Sequence, residues 1–202
     1  MTVTDHSSRQ YGRRALLFGA GSVVAAASLA ACAGDSEAAP LPNAVDIGFS
    51  RDMAFHHEQA LAMCQRVLGA DTGGAVQASA AEILQTQSYE RGMMHAWLAS
   101  WGHSTAPPET VMAWMGHAVP AEQMPGLATD EQMAELAAAT GLEKGRQFLT
   151  LMRAHHVGGV EMVDEAQRQA SIEDVQALAS RMSATQTFEI NQFDYLLAND
   201  YA

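Results

Sequence analysis

Residues 53–63 read MAFHHEQALAM, and residues 152–162 read MRAHHVGGVEM. Both stretches have a methionine at each end and two adjacent histidines, and the histidine pairs are 99 residues apart. When residues 49–99 are placed on residues 148–198 without a gap, 14 of 51 positions are identical. Identity that holds one register over about 50 residues indicates two copies of one structural unit.

The sequence of each unit predicts a pair of helices. Apolar residues recur at spacings of three and four, the pattern of an amphipathic helix, and no alternating run predicts a strand. Short connections within each pair place its helices side by side, so the sequence predicts an all-α four-helix bundle of two helical hairpins. The predicted helices cover residues 45–68, 75–101, 142–169 and the C-terminal segment after Ser171, which is the expected N-cap.

A long crossover, residues 102–141, separates the two hairpins. It is long enough to span the bundle. Residues 109–115 predict one or two helical turns. Thr129 and Gln132 form a capping-box pattern for a short helix that we expect to end at Gly141.

Polar residues occupy the core-facing side of these helices. At about 100° per residue, His56 and His57 fall within the stripe that contains Met53, and the second unit repeats this arrangement. Four imidazoles, two carboxylates and four thioethers are therefore expected in one bundle interior. The candidate metal ligands are His56, His57, Met53, Met63, Glu90, His155, His156, Met152, Met162 and Glu189.

Two interpretations of this set stay open. The histidines could form a structural polar layer, each bonded to a Glu or Gln of the partner helix, with the methionines as ordinary core residues. Burying so many ionisable groups costs several kcal/mol unless they satisfy one another or hold a metal. Ligands on facing helices are an established way to build a metal site in a bundle, and we favour that interpretation.

Ligand softness favours copper, as Cu(I) through methionine and Cu(II) through histidine. Di-iron bundles use Glu-x-x-His pairs, whereas Met53 and Met152 stand three residues before the histidines here. Zinc stays open. Cys64 could add a thiolate or be a small buried residue. His117 could form an auxiliary copper site with nearby methionines, which are Met112, Met115 and Met124.

The N-terminal region predicts export. Arg13 and Arg14 precede a 16-residue run, LLFGAGSVVAAASLAA, that ends at Cys32 in a lipobox. We therefore expect a signal peptide at residues 1–31, a lipidated Cys32 and a tether to residue 44. The arginine pair resembles a twin-arginine signal, ordinary secretion stays open, and the run is shorter than the roughly 20 residues of a spanning helix.

Charge excludes one class of partner. Residues 1–31 contain three arginines and one aspartate, so the remainder carries 8 basic and 22 acidic side chains, a formal charge of −14. Nucleic acid is therefore not an expected partner. The remainder, residues 45–202, is long enough for one domain.

The motifs resemble a bacterial family known as domain of unknown function 305. The similarity rests on the His-pair motif at residues 49–63, WLASWG at 97–102, MPGLATDEQMAEL at 124–136, FLTLMRAHH at 148–156 and the stretch 186–189. The resemblance implies a ferritin-like four-helix bundle and an exported protein. It also implies, as for some members of that family, a periplasmic copper binder with Met and His residues as ligands. Residues 157–159 differ, because Glu or Gln, Gly and Ala are usual there.

The sequence therefore predicts an exported lipoprotein that binds metal, most readily copper, for buffering, storage or resistance. Its expected partners are the metal ion and, through the lipid anchor, a membrane. We favour a binding protein over an enzyme. The alternatives are a redox enzyme with a dinuclear metal centre and a structural or interaction lipoprotein with a polar core. Metal stoichiometry and homo-oligomerisation stay open.

Overall fold

The computed structural model describes residues 40–201. The four long helices confirm the predicted all-α bundle. The predictions for the signal peptide and for Cys32 concern residues outside the described part of the chain. Within residues 40–201, no helix is both long enough and apolar enough to cross a membrane. The helices are α1 (Ala44–Val67), α2 (Gly74–Ser100), α3 (Asp130–Ala138), α4 (Gly141–Gln169) and α5 (Glu173–Asn199).

The two hairpins meet through their first helices. Close backbone contacts join α1 to α2, α4 to α5 and α1 to α4, whereas α2 and α5 make no comparable contact. Asn43, before α1, donates a hydrogen bond to the carbonyl oxygen of Gln169 at the end of α4. Lys144, near the start of α4, donates to the carbonyl oxygen of Arg66 near the end of α1. Helices α1 and α4 are therefore antiparallel.

The crossover runs from the end of α2 to the start of α4. It contains a short antiparallel pair of strands, so the prediction of no strands was wrong for this segment. The capping box of Thr129 and Gln132 is confirmed, but α3 ends at Ala138 and Gly141 begins α4 with a φ of +57°. The other elements are β1 (Thr110–Val111), β2 (Val119–Pro120) and 3₁₀ turns at Ala113–Met115 and Ala121–Gln123.

The predicted N-cap of the last helix was also wrong. Helix α5 is preceded by Ile172, which makes no side-chain cap. The backbone N–H groups of Ser171 and Ile172 instead donate to the carboxylate of Asp46, in the capping box of α1. Ser171 Oγ accepts a hydrogen bond from Asn43. A tertiary contact therefore takes the place of the local cap that the sequence pattern indicated.

A buried carboxylate attaches the crossover to α1. Asp52 accepts hydrogen bonds from the backbone N–H of Met112 at 2.7 Å and from Trp114 Nε1 at 2.9 Å. The Trp114 ring lies against Gly48, where an added Cβ would come within 2.4 Å of the ring. Met112 adopts a positive φ of 63° at this point. The attachment holds the crossover beside the N-terminal half of α1.

The apolar core forms two clusters. The first core cluster surrounds the start of α1 and the end of α4, and the second core cluster surrounds the opposite ends of these helices. Along each long helix, polar residues separate the part that contributes to one cluster from the part that contributes to the other. The first cluster includes Phe49, Met53, Met94, Met112, Met162 and Met182, and the second includes Met63, Cys64, Ile83, Phe148, Met152 and Phe193.

Candidate metal centre

A polar layer crosses the bundle between the two core clusters, and all four long helices contribute to it. Helices α1 and α4 supply the histidines, and α2 and α5 supply amides and carboxylates. Every member is buried, with at most 8% of its surface exposed. The layer consists of His56, His57, Gln87, Glu90, His155, His156, Gln186 and Glu189.

Two histidines pair with carboxylates of the neighbouring helix in their own hairpin. His57 Nε2 lies 2.9 Å from Glu90 Oε2, and His156 Nε2 lies 2.6 Å from Glu189 Oε2. Both pairs are separated by 33 residues, so the two units build the same contact. An ionised carboxylate only accepts hydrogen bonds, and each Nε2 therefore carries the donated proton.

The other two histidines stack on each other where α1 crosses α4. The rings of His56 and His155 have centroids 3.7 Å apart and planes 26° apart. His56 Nε2 contacts the carbonyl oxygen of Pro125 at 3.2 Å, and His155 Nε2 contacts the carbonyl oxygen of His56 at 2.9 Å. A carbonyl oxygen can only accept, so Nε2 is again the donor.

This stacked pair is held in the neutral form. Burial, followed by the effect of neighbouring His57, lowers the pKa of His56 from 6.5 to about 3. Burial, followed by the effect of His56, lowers the pKa of His155 well below 6.5. A neutral imidazole with its proton on Nε2 has a lone pair on Nδ1. His56 and His155 therefore have the protonation state that a metal ion requires.

Three of the Nδ1 atoms have no hydrogen-bond partner among residues 40–201. These are the buried Nδ1 atoms of His56, His57 and His156. Burying a polar atom without a partner costs about 1–3 kcal/mol, so such atoms need an explanation. Histidines that bind a metal characteristically donate their other ring N–H to a carboxylate or a backbone carbonyl, which is the arrangement found here.

The four predicted methionines lie on both sides of the layer. Met53 of the first unit shares the first core cluster with Met162 of the second, and Met63 shares the second core cluster with Met152. All four side chains are fully buried. The antiparallel arrangement of α1 and α4 produces this exchange. Each core cluster therefore contains one of these thioethers from each unit.

A narrow cleft opens between α2 and α5 at the level of the layer. Its cavity has a volume of about 10 Å³, close to the minimum that holds one water molecule. Every lining residue of α2 is matched by its repeat equivalent in α5. The cleft therefore lies on the pseudo-twofold axis of the repeat. Its lining consists of Ile83, Thr86, Gln87, Glu90, Met182, Thr185, Gln186 and Glu189.

The sequence profile described as "Domain of unknown function (DUF305)" matches residues 46–197. The chain belongs to the DUF305 family. This finding confirms the resemblance inferred from the motifs. The curated proteins include no significant match to the chain.

Solved structures of similar proteins share the fold of this DUF305 chain. A DUF305 protein from Streptomyces coelicolor, described as secreted, is 36% identical with a TM-score of 0.71, covering 76% of this chain and 92% of its own. A DUF305 fragment from Deinococcus radiodurans is 28% identical with a TM-score of 0.66, covering 79% and 99%. CopM in the Cu(I)-bound form is 24% identical with a TM-score of 0.59, covering 78% and 98%.

The donor atoms of this DUF305 protein suit a soft metal ion. They do not form a preformed site within residues 40–201. In the described part of the chain, no three His, Cys, Asp or Glu side chains converge on one point. A donor set that combines buried imidazoles with buried thioethers suits copper, because thioethers are soft ligands. Glu90 and Glu189 contact imidazole protons, so a direct metal contact for these carboxylates stays a prediction.

Two further candidates do not belong to the polar layer. Cys64 is buried in the second core cluster, and burial, with a smaller effect of Glu189, raises the pKa of its thiol to about 12. The thiolate considered from the sequence is thus disfavoured in this structure. His117 is exposed, whereas Met112 and Met124 are buried in the first core cluster.

Sequence reasoning missed the crossover residues that cover the layer. Pro125 provides the carbonyl oxygen for His56, and Gly126 packs on the backbone of α4. Gly158 permits this contact, because an added Cβ would lie 2.2 Å from Pro125 O. A Pro-Gly pair predicts a turn, and a glycine inside a helix indicates a close approach, but neither pattern identifies its partner.

Proposed function

We propose that this DUF305 protein binds copper in the interior of the bundle, through imidazole Nδ1 atoms and neighbouring thioethers. The observation that carries the proposal is the shared orientation of the four histidines, whose Nε2 atoms all contact oxygen acceptors. Three buried Nδ1 atoms are left without partners among residues 40–201. A metal ion would use these lone pairs and remove the cost of burying them.

Copper suits this donor set better than harder metals. Thioethers are soft ligands that select Cu(I), and imidazole binds both copper oxidation states. The core cluster on each side of the histidine layer contains two of the predicted methionines, and the layer's carboxylates contact imidazole nitrogens. The similar structure of CopM was determined in a Cu(I)-bound form, which supports the choice of metal to test first. Within the proposal, Glu90 and Glu189 orient the imidazoles.

A structural polar layer is the second candidate. It is favoured by the His57–Glu90 and His156–Glu189 hydrogen bonds and by the stacking of His56 on His155. A buried polar layer of this kind can fix the register of a bundle without any ligand. It gives no account of the unpartnered Nδ1 atoms.

An anaerobic Cu(I) competition titration against a chromogenic chelator separates the two candidates. Changing His57 and His156 together to Gln removes two of the unpartnered Nδ1 atoms, and we expect a loss of Cu(I) affinity of at least 100-fold. The matched control changes His103 to Gln, because this histidine is exposed, lies outside the layer and belongs to no candidate site. Equal affinity in the two variants would reject interior binding.

A second measurement tests the proposal even if the His57 and His156 double variant does not fold. Copper-edge X-ray absorption on the unmodified Cu(I)-loaded protein should show both nitrogen and sulfur neighbours of copper. A spectrum without sulfur neighbours would reject the thioether ligands and agree with binding to the acidic surface.

We also propose that the domain at residues 45–202 is exported and anchored through lipidated Cys32. The support is the lipobox after an apolar run, and the Streptomyces coelicolor relative is described as secreted. Cys32→Ala or globomycin should leave an unprocessed precursor in cell fractions. Normal processing under both conditions would contradict the proposal.

A further inference from the structure

The histidine layer is closed on the side of α1 and α4. The crossover lies across these helices, where Pro125 contacts His56 and Gly126 packs on the backbone of Ala154 and His155. The fit leaves no space for a Cβ on Gly158. The four histidines are at most 1% exposed. An ion cannot reach them from this side unless the crossover moves.

The opposite side, between α2 and α5, is less tightly packed. These two helices make fewer close backbone contacts than α1 with α2, α4 with α5 or α1 with α4. The cleft between them ends at Glu90 and Glu189, the most exposed members of the polar layer at 8% each. Each carboxylate uses Oε2 for an imidazole. The residues that contact the histidines are therefore also the residues that reach towards solvent.

Two amides complete the lining of this cleft. Gln87 and Gln186 are 4% exposed, and their Oε1 atoms have no hydrogen-bond partner within residues 40–201. Gln186 Oε1 faces Gly159, where an added Cβ would come within 2.5 Å. Gln186 can take this position because residue 159 has no side chain. Amide and carboxylate side chains of both helices therefore line the cleft.

We propose that the cleft between α2 and α5 is the entrance through which the metal ion reaches the histidine layer. Two carboxylates attract a cation and repel anions. Oxygen is a poor ligand for Cu(I), so the ion is not retained at the carboxylates and passes to the softer imidazoles and thioethers. This inference rests on the proposed copper binding and adds the route to the site.

The test changes the width of the cleft while leaving the proposed ligands in place. Thr86 and Thr185 line the cleft and are repeat equivalents. Changing both to Phe narrows it, and changing both to Ala widens it. The control changes Ser88 and Thr187 to Phe, because this equivalent pair is exposed and does not line the cleft.

The measurement is the rate of Cu(I) release from the loaded protein to a saturating concentration of a chelator too bulky to enter the cleft. We expect the Phe pair to slow release at least tenfold and the Ala pair to accelerate it. The equilibrium Kd should stay within twofold for both, because the same wall slows entry and exit. The control pair should release copper at the wild-type rate.

Two results would contradict the proposal that this cleft is the entrance. One is that the Phe and Ala pairs release copper at the same rate as the control pair. The other is that the control pair slows release as much as the Phe pair, which would indicate a general effect on the helices. Failure of the proposed function is recognised separately, because the wild-type protein would then show no interior Cu(I) binding at equilibrium.

Discussion

Substituting Gly158 by Ala tests whether the crossover is pressed against α4 at the histidine layer. An ideal Cβ at this position would lie 2.2 Å from Pro125 O and 2.7 Å from the backbone N of Gly126. Both atoms belong to the backbone, so the crossover must shift. Overpacking of this kind costs about 1–3 kcal/mol. Loss of the His56–Pro125 hydrogen bond adds about 1 kcal/mol.

A gain in helix propensity opposes this loss. Replacing a helical glycine by alanine stabilises a helix by up to about 1 kcal/mol. The expected net effect of Gly158→Ala is therefore a decrease of about 1–3 kcal/mol in the free energy of unfolding. Gly92→Ala is the matched control, because Gly92 lies inside α2 and an added Cβ there meets nothing within 4 Å.

Urea unfolding followed by circular dichroism measures both variants against the wild type. Gly92→Ala should be stabilised by up to about 1 kcal/mol, whereas Gly158→Ala should be destabilised. If the two substitutions stabilise the protein equally, the crossover does not press on α4 and the described cover of the histidine layer is wrong.

Three other predictions follow from the same structure. The pKa values of His56 and His155 are lower in the folded than in the unfolded protein, so the stability of the metal-free protein is complete above about pH 6.5 and falls on acidification towards pH 3. In urea unfolding at several pH values, the free energy of unfolding should fall by about 1.4 kcal/mol per pH unit for each histidine. If these two histidines make no contribution to the pH dependence in this range, they are not buried as described. Asp52→Ala leaves the N–H groups of Met112 and Trp114 without their acceptor, at about 1–3 kcal/mol for a buried donor and less for the partly exposed indole, so it should cost about 2–4 kcal/mol by urea unfolding. A cost below about 0.5 kcal/mol would refute the attachment. Free Cu(I) at 1,000 times its Kd should stabilise the protein by about 4 kcal/mol, and an unchanged thermal midpoint would argue against binding to the folded state.

The fold could be predicted from the sequence because the patterns that determine it are local and occur in both units. A helical period over four long segments fixes the helices, and the repeat fixes which residues are equivalent. The helix boundaries were right to within a few residues. The wrong N-cap at Ser171 has a tertiary cause, because the Asp46 carboxylate that replaces the cap lies 125 residues away in the chain.

The composition of the polar layer was predictable, but its pairing was not. Helical angles place His56 and His57 on the core-facing side, and both are buried. Those angles do not say that His57 contacts a carboxylate while His56 stacks on His155. The difference depends on which neighbouring helix each ring faces, and that follows from the packing of the hairpins.

One position at which the two units differ is explained by the single crossover that covers both. Gln59 and Gly158 occupy equivalent positions beside the histidine pairs. Gln59 exchanges two hydrogen bonds with the backbone of Ala128, whereas Gly158 lets the backbone of Pro125 approach α4 directly. The layer can be nearly symmetric because each unit supplies the same side chains to it. The crossover cannot cover the two units symmetrically. The same segment contacts α1 through the long side chain of Gln59 and contacts α4 at Gly158, which has no side chain. In this duplicated chain, identical positions identify the shared polar layer, and this unequal pair marks where the crossover touches each unit.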